Sequence, residues 1–127
     1  IKPYKFIRNF YIMELVALLG KGEGTWGQIT GVINHGDWDN IILLGDSSAK
    51  QFTNKKDFEF IEISDAPITE LKEDISKKIK GKIKGIEVAL SIASGNGKQH
   101  MALISALLSL PVGIKFTVLT KDGLVFM

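Results

Sequence analysis

Two short stretches carry the residue types that could do chemistry. "GKGEGTWGQ", Gly20 to Gln28, leaves an apolar run, and Gly31 follows just beyond it. "SGNGKQH", Ser94 to His100, leaves another apolar run. Glycine lets backbone N–H groups approach an anion, and a helix N-terminus favours negative charge there. Lys98 at a helix start can reach a phosphate, while Thr25, Gln28, Ser94 and Asn96 supply neutral hydrogen bonds. Trp26 is either a core residue or an aromatic face for a base, and both readings stand. His100 and Glu23, with Lys98, are the candidates for acid–base or charge-stabilising work, although spacing alone does not show their reach. The opposing reading is structural: Gly95-Asn96-Gly97 as a tight turn, and glycines 22 to 27 as a sharp strand-to-helix corner.

The elements that must position these loops follow from hydrophobic pattern. "FYIMELVALL" (10–19) reads as a buried strand interrupted only by Glu14, and 25–34 as a short helix in which Gly27 and Gly31 permit close packing. Strands follow at 41–45 and 58–63. Ser64 or Asp65 reads as the cap of a helix with Pro67 in its first turn, and Ile68, Leu71, Ile75 and Ile79 form its apolar stripe. A fourth strand spans 86–93 and a helix of mainly apolar residues spans 99–110. "IKFTVL" and "LVFM" pair as a hairpin around "TKDG". The order β-α-β-(α)-β-α-β-α-β-β, with strands apolar on both faces, predicts an α/β fold. This is a Rossmann-like, mainly parallel sheet of order near 3-2-1-4-5, with an antiparallel edge hairpin and helices on both faces. In that layout the two glycine loops leave strands 1 and 4, where the chain reverses direction, and face each other across one crevice.

Composition narrows the function classes. The 127 residues suit one domain, with residues 1–12 read as an N-terminal extension ahead of Met13. With no cysteine and with His35 and His100 far apart, no metal site is expected. Lys2, Lys5 and Arg8 precede Met13, so the remainder holds 13 basic and 14 acidic side chains and has no basic signature for DNA. The lysines of "SKKIKGKIKG" (76–85) follow acidic residues without aromatic company; they read as a solvated helix face, with RNA binding as the weaker option. No apolar run approaches the roughly 18 residues of a membrane span, so no membrane partner is expected and the expected location is the cytoplasm.

Gly22-Glu23-Gly24-Thr25-Trp26-Gly27 satisfies the G-x-G-x-x-G dinucleotide pattern, and Asp46 closes the second strand where a ribose-binding carboxylate belongs. Three features argue against it. Glu23 puts a carboxylate where a pyrophosphate would lie unless Lys21 offsets it. No second domain for a substrate is expected in a chain of this length, and the pattern leaves the glycine–lysine loop after strand 4 unexplained. No cofactor is expected.

With both loops in view, the chain resembles the CRISPR-associated Rossmann fold, or CARF, family over about residues 12 to 120. "ELVALLGKGEGTWGQ" is similar to that family's first strand and small-residue loop. "SIASGNGKQHMALISALL" is similar to its fourth strand and T-G-G-T-K-x-M motif. Ser94 stands for the hydroxyl residue, Gly95 for the first glycine, Asn96 and Gly97 for the next two positions and Lys98 for the lysine; Met101 falls one position late. The resemblance implies a homodimer that binds cyclic oligoadenylate in CRISPR antiviral defence. The implied ligand-binding residues are Gly22, Gly24, Thr25, Trp26, Gln28, Ser94, Gly95, Asn96, Gly97 and Lys98. The family usually carries a fused effector, and none is expected after Val118. The expectation is therefore a stand-alone sensor, a subunit serving a separate effector, a ligand sink, or a metal-independent ring nuclease. A small protein-interaction domain with structural loops is the remaining alternative. The helix at 99–110 fits a dimer independently, because it is apolar nearly all round and needs a second partner.

Overall fold

The computed structural model describes residues 12–110 and 112–127. The predicted extension before residue 12, the start of the first strand at residues 10 and 11, and the three basic residues ahead of Met13 lie outside the described residues. The elements run β1 (Glu14–Leu19), α1 (Trp26–His35), β2 (Asn40–Gly45), a 3-10 turn (Ser47–Gln51), β3 (Glu59–Glu62), α2 (Ile68–Ile79), β4 (Glu87–Ser91), α3 (Gly97–Ser109), β5 (Gly113–Thr120) and β6 (Gly123–Phe126). They form one six-stranded sheet of order β3-β2-β1-β4-β5-β6. All pairings are parallel except β5–β6. The Rossmann-like order predicted from the sequence, including the antiparallel edge, is the observed one. Among the described residues no helix is long and apolar enough to cross a membrane.

β1 lies at the centre and every residue in it is buried. Alternate side chains serve opposite layers, as strand geometry requires. Val16 and Leu18, with Ile42, Leu44 and Leu90, pack under α2 and α3. Leu15, Ala17 and Leu19, with Ile41 and Leu43, pack under α1, where Ile29, Val32 and Ile33 close the layer. α1 approaches β5 closely at Gly31, where an added Cβ would stand 2.4 Å from a Leu119 methyl. Gly27, expected to serve the same purpose, faces open space instead. At the other end of α1, Lys56 Nζ donates to the carbonyls of Ile33 (2.8 Å) and Gly36 (2.7 Å), a cation placed on the helix C-terminus.

Three local readings are corrected. The N-cap residue of α2 is Pro67, and no side chain caps it; Asp65 turns away to pair with Lys98. β4 is shorter than predicted, ending at Ser91, because the chain must leave the sheet for the loop before α3. α3 starts two residues early, at Gly97, because Asn96 accepts from the Gln99 amide while the Gln99 side chain returns to the Asn96 amide. This reciprocal capping box outweighs the helix-weakening effect of glycine at the first helical position.

Glu14 is the one polar break in the apolar run of β1, and it is 1% exposed. Its carboxylate accepts from the Asn40 side chain (2.7 Å), from the Lys84 amide (2.9 Å) and from the Gly85 amide. A buried charge is tolerated only when hydrogen-bonded in this way. It ties the amino ends of β1 and β2 to the connection entering β4. Glu14→Ala should therefore lower stability by about 3 kcal/mol, through the donors left unsatisfied, and Glu14→Gln by less, as read from the urea midpoint at unchanged slope.

Candidate functional site

At the carboxyl ends of the parallel strands the two glycine loops meet. β1 ends at Leu19, and Gly20 is held directly against the loop leaving β4. Its amide donates to Ser94 Oγ at 2.6 Å. An added Cβ on Gly20 would lie 2.6 Å from the Gly95 amide nitrogen and 2.9 Å from Ser94 Oγ, a separation that real Cβ atoms do not adopt. Thr25 Oγ1 also shares a hydrogen bond with Ser94 Oγ. Ser94 is 1% exposed, so its hydroxyl acts as a strut between the loops, filled on both sides by protein partners.

Gly95 follows with φ of +94°, a conformation that a side chain would strain. It turns the chain so that Asn96 can cap α3. Behind it, His100 Nε2 lies 2.8 Å from the Ser94 carbonyl oxygen, so this half-buried histidine braces the loop from the first turn of α3.

The predicted site residues thus divide into two sets. Ser94, Thr25, Gly95 and His100 are joined in one contact network. Trp26, left open as core or platform, belongs to the core of the α1 layer at 9% exposure. Its indole N–H donates to the Gly20 carbonyl (3.0 Å) and its ring meets Phe52 edge-on at 5.8 Å. In contrast, Cβ atoms added to Gly22, Gly24 or Gly97 would meet nothing within 4 Å. These glycines, with exposed Glu23, Gln28 and Asn96, face open space. An open cleft runs along the α1 side of the first loop, lined by Glu23, Gly27, Thr30, Gln51 and Thr53 with the edge of Trp26. Thr30, Gln51 and Thr53 carried no recognisable signal, because the 3-10 turn that brings residues 51 to 53 there follows no apolar period.

Charge gathers at this end of the sheet from three loops. Lys98 Nζ donates to Asp65 Oδ1 at 2.6 Å, linking α3 to the β3–α2 connection. The Lys98 hydrogen bond and charge hold the Asp65 carboxyl below the usual carboxylate range, with a further contribution from Lys21 on the first loop. Asp65 is ionised at neutral pH, so the pairing acts above the ordinary carboxylate range and fades as pH falls through the lowered value. Asp46, the carboxylate that a dinucleotide reading would assign to a ribose, instead accepts from the Ser48 amide (2.9 Å) and hydroxyl, capping the 3-10 turn. Ser91, the last residue of β4, is fully buried, and its hydroxyl has no hydrogen-bond partner among the described residues.

Because Gly20 is enclosed and Gly24 is open, the two should respond oppositely to the same change. Gly20→Ala should lower stability by about 2 kcal/mol or more through overpacking, whereas Gly24→Ala should shift it by no more than about 0.5 kcal/mol; paired thermal melts compare them. No family model matches the chain, and no curated protein matches it.

Proposed function

We propose that this chain is a nucleotide sensor of the CARF type, binding cyclic oligoadenylate as a homodimer in the crevice between the β1 and β4 loops. One observation carries the reading. Two glycine loops from adjacent parallel strands are locked together at the point where the strand order reverses, while Gly22, Gly24 and Gly97 leave open space beside Lys21 and Lys98. That arrangement suits phosphates: a helix N-terminus and ammonium groups stand beside glycines that have no side chains to obstruct an approach. Gln28, Asn96 and the cleft along Gln51 and Thr53 offer neutral hydrogen bonds for ribose and base edges.

The dimer rests on α3. Ala102, Leu103, Ala106 and Leu107 are buried against the sheet and α2, yet Met101 and Leu108 are 61% and 62% exposed on the opposite side. Between them lie half-buried Ile104 and Ser105, and no charge occurs from Met101 to Leu110. Two copies related by a two-fold axis can set Met101 of one α3 against Leu108 of its partner, with the small Ser105 at the crossing. The crevices of both copies then border the axis, as a ring-shaped ligand requires.

Metal-independent cleavage of the ring is the second reading, with exposed Glu23 as its acid–base group, since His100 is held by the Ser94 carbonyl. In that reaction a ribose 2′-hydroxyl gives its proton to a general base and its oxygen bonds to the adjacent phosphorus, while the bond to the 5′-oxygen breaks and that oxygen takes up a proton, giving a 2′,3′-cyclic phosphate and a 5′-hydroxyl. Lys98 and backbone donors would meet the developing charge.

Calorimetry with cyclic tetra- and hexa-adenylate should show binding of at least one ring at one ring per two chains, weakened about tenfold or more by Lys98→Ala. Binding of neither ring would remove the proposal. Leu108→Glu should give a monomer by light scattering. Intact ring after hours with the protein in chelator would leave binding alone.

A further inference from the structure

Asp65 is an unusual carboxylate for its position. It stands at the carboxyl ends of the strands, on the connection between β3 and α2, where the charged groups that act on it, Lys98 and Lys21, are cationic. It caps nothing, since the N-cap of α2 is Pro67 and no side chain caps that helix. Its side chain is 92% exposed, so packing does not hold it there. Exposed ion pairs of this kind contribute little to stability. What holds it is Lys98, at 2.6 Å, a lysine that the ligand reading requires for phosphate.

We propose that Asp65 is a resident counter-ion of the crevice, which neutralises Lys98 in the free protein and is displaced from it when a ligand phosphate binds. The inference rests on the nucleotide-binding reading of the same site and adds to it a residue that sets which anions enter. A phosphate taking the Lys98 ammonium while Asp65 stays beside it would suffer like-charge repulsion. Asp65 can leave without a desolvation penalty in either direction, because it is already hydrated. The aspartate therefore weakens binding of every anion somewhat and penalises higher charge more, a device for discrimination.

The test is a double-mutant cycle on the full chain, titrated calorimetrically with whichever of cyclic tetra- or hexa-adenylate the unmodified protein binds. Asp65→Asn should tighten binding by about two- to fivefold, the range expected of an exposed charge pair. In a Lys98→Ala background the same substitution should change affinity by less than about 1.5-fold, because the ion it competes for is gone. Unchanged or weaker binding by Asp65→Asn, with ring binding by the unmodified protein intact, would overturn the counter-ion role and leave the nucleotide reading standing. Binding of neither ring by the unmodified protein removes both. The melting curve of Asp65→Asn should coincide with that of the unmodified protein; a large drop would make Asp65 a structural residue and overturn the inference.

Discussion

The contact between the Gly20 amide and the Ser94 hydroxyl holds the carboxyl end of this sheet in one piece. β1 and β4 are hydrogen-bonded only over Leu15 to Ala17, and beyond that the two chains would be free to splay. Glycine at position 20 lets the backbones meet, and a short buried hydroxyl at position 94 satisfies the amide that this approach takes out of water. Everything polar above follows from that seam. Thr25 shares the same hydroxyl, and Trp26 is anchored to the Gly20 carbonyl as α1 begins. On the other side Gly95 turns away and Asn96 caps α3. The open glycines 22, 24 and 97 lie on either side of this seam.

The two ends of the sheet treat charge in opposite ways. At the amino end Glu14 is buried and fully occupied by the Asn40 side chain and the Lys84 and Gly85 amides, an arrangement that joins elements and has no spare capacity. At the carboxyl end Asp65 is exposed and pairs with Lys98, with Lys21 contributing charge, and such a pair adds little to stability. The buried carboxylate serves stability, and the hydrated one is the group we propose a ligand displaces. The polarity of the molecule is thus set by burial rather than by net charge.

Much of this was legible in the sequence, for physical reasons that can be named. Continuous apolar strands followed by glycine specify a buried parallel sheet, and the strand order then puts the loops after β1 and β4 side by side. Periodicity says nothing about which way a loop side chain points. It therefore left Ser94 and Trp26 among the ligand groups, although one braces the loops and the other packs into the core. It also singled out glycines 22, 24 and 27 as a fingerprint; of these Gly22 needs glycine for its φ of +82°, while the close approach between the two loops is at Gly20. Asp65 looked like a helix cap because local signals favour nearby partners. Its actual partner is 33 residues away, and only the fold brings Lys98 to it.

The central claim is that the paired loops form one ligand site at the carboxyl end of the sheet. The most direct measurement is the change in backbone amide resonances on adding cyclic tetra- or hexa-adenylate. The account predicts shifts concentrated at Gly22, Gly24, Gly97 and Lys98, with Lys84 and Gly85 at the opposite end unmoved. Shifts clustered at the amino end or along β6, with the glycine loops silent, would contradict it.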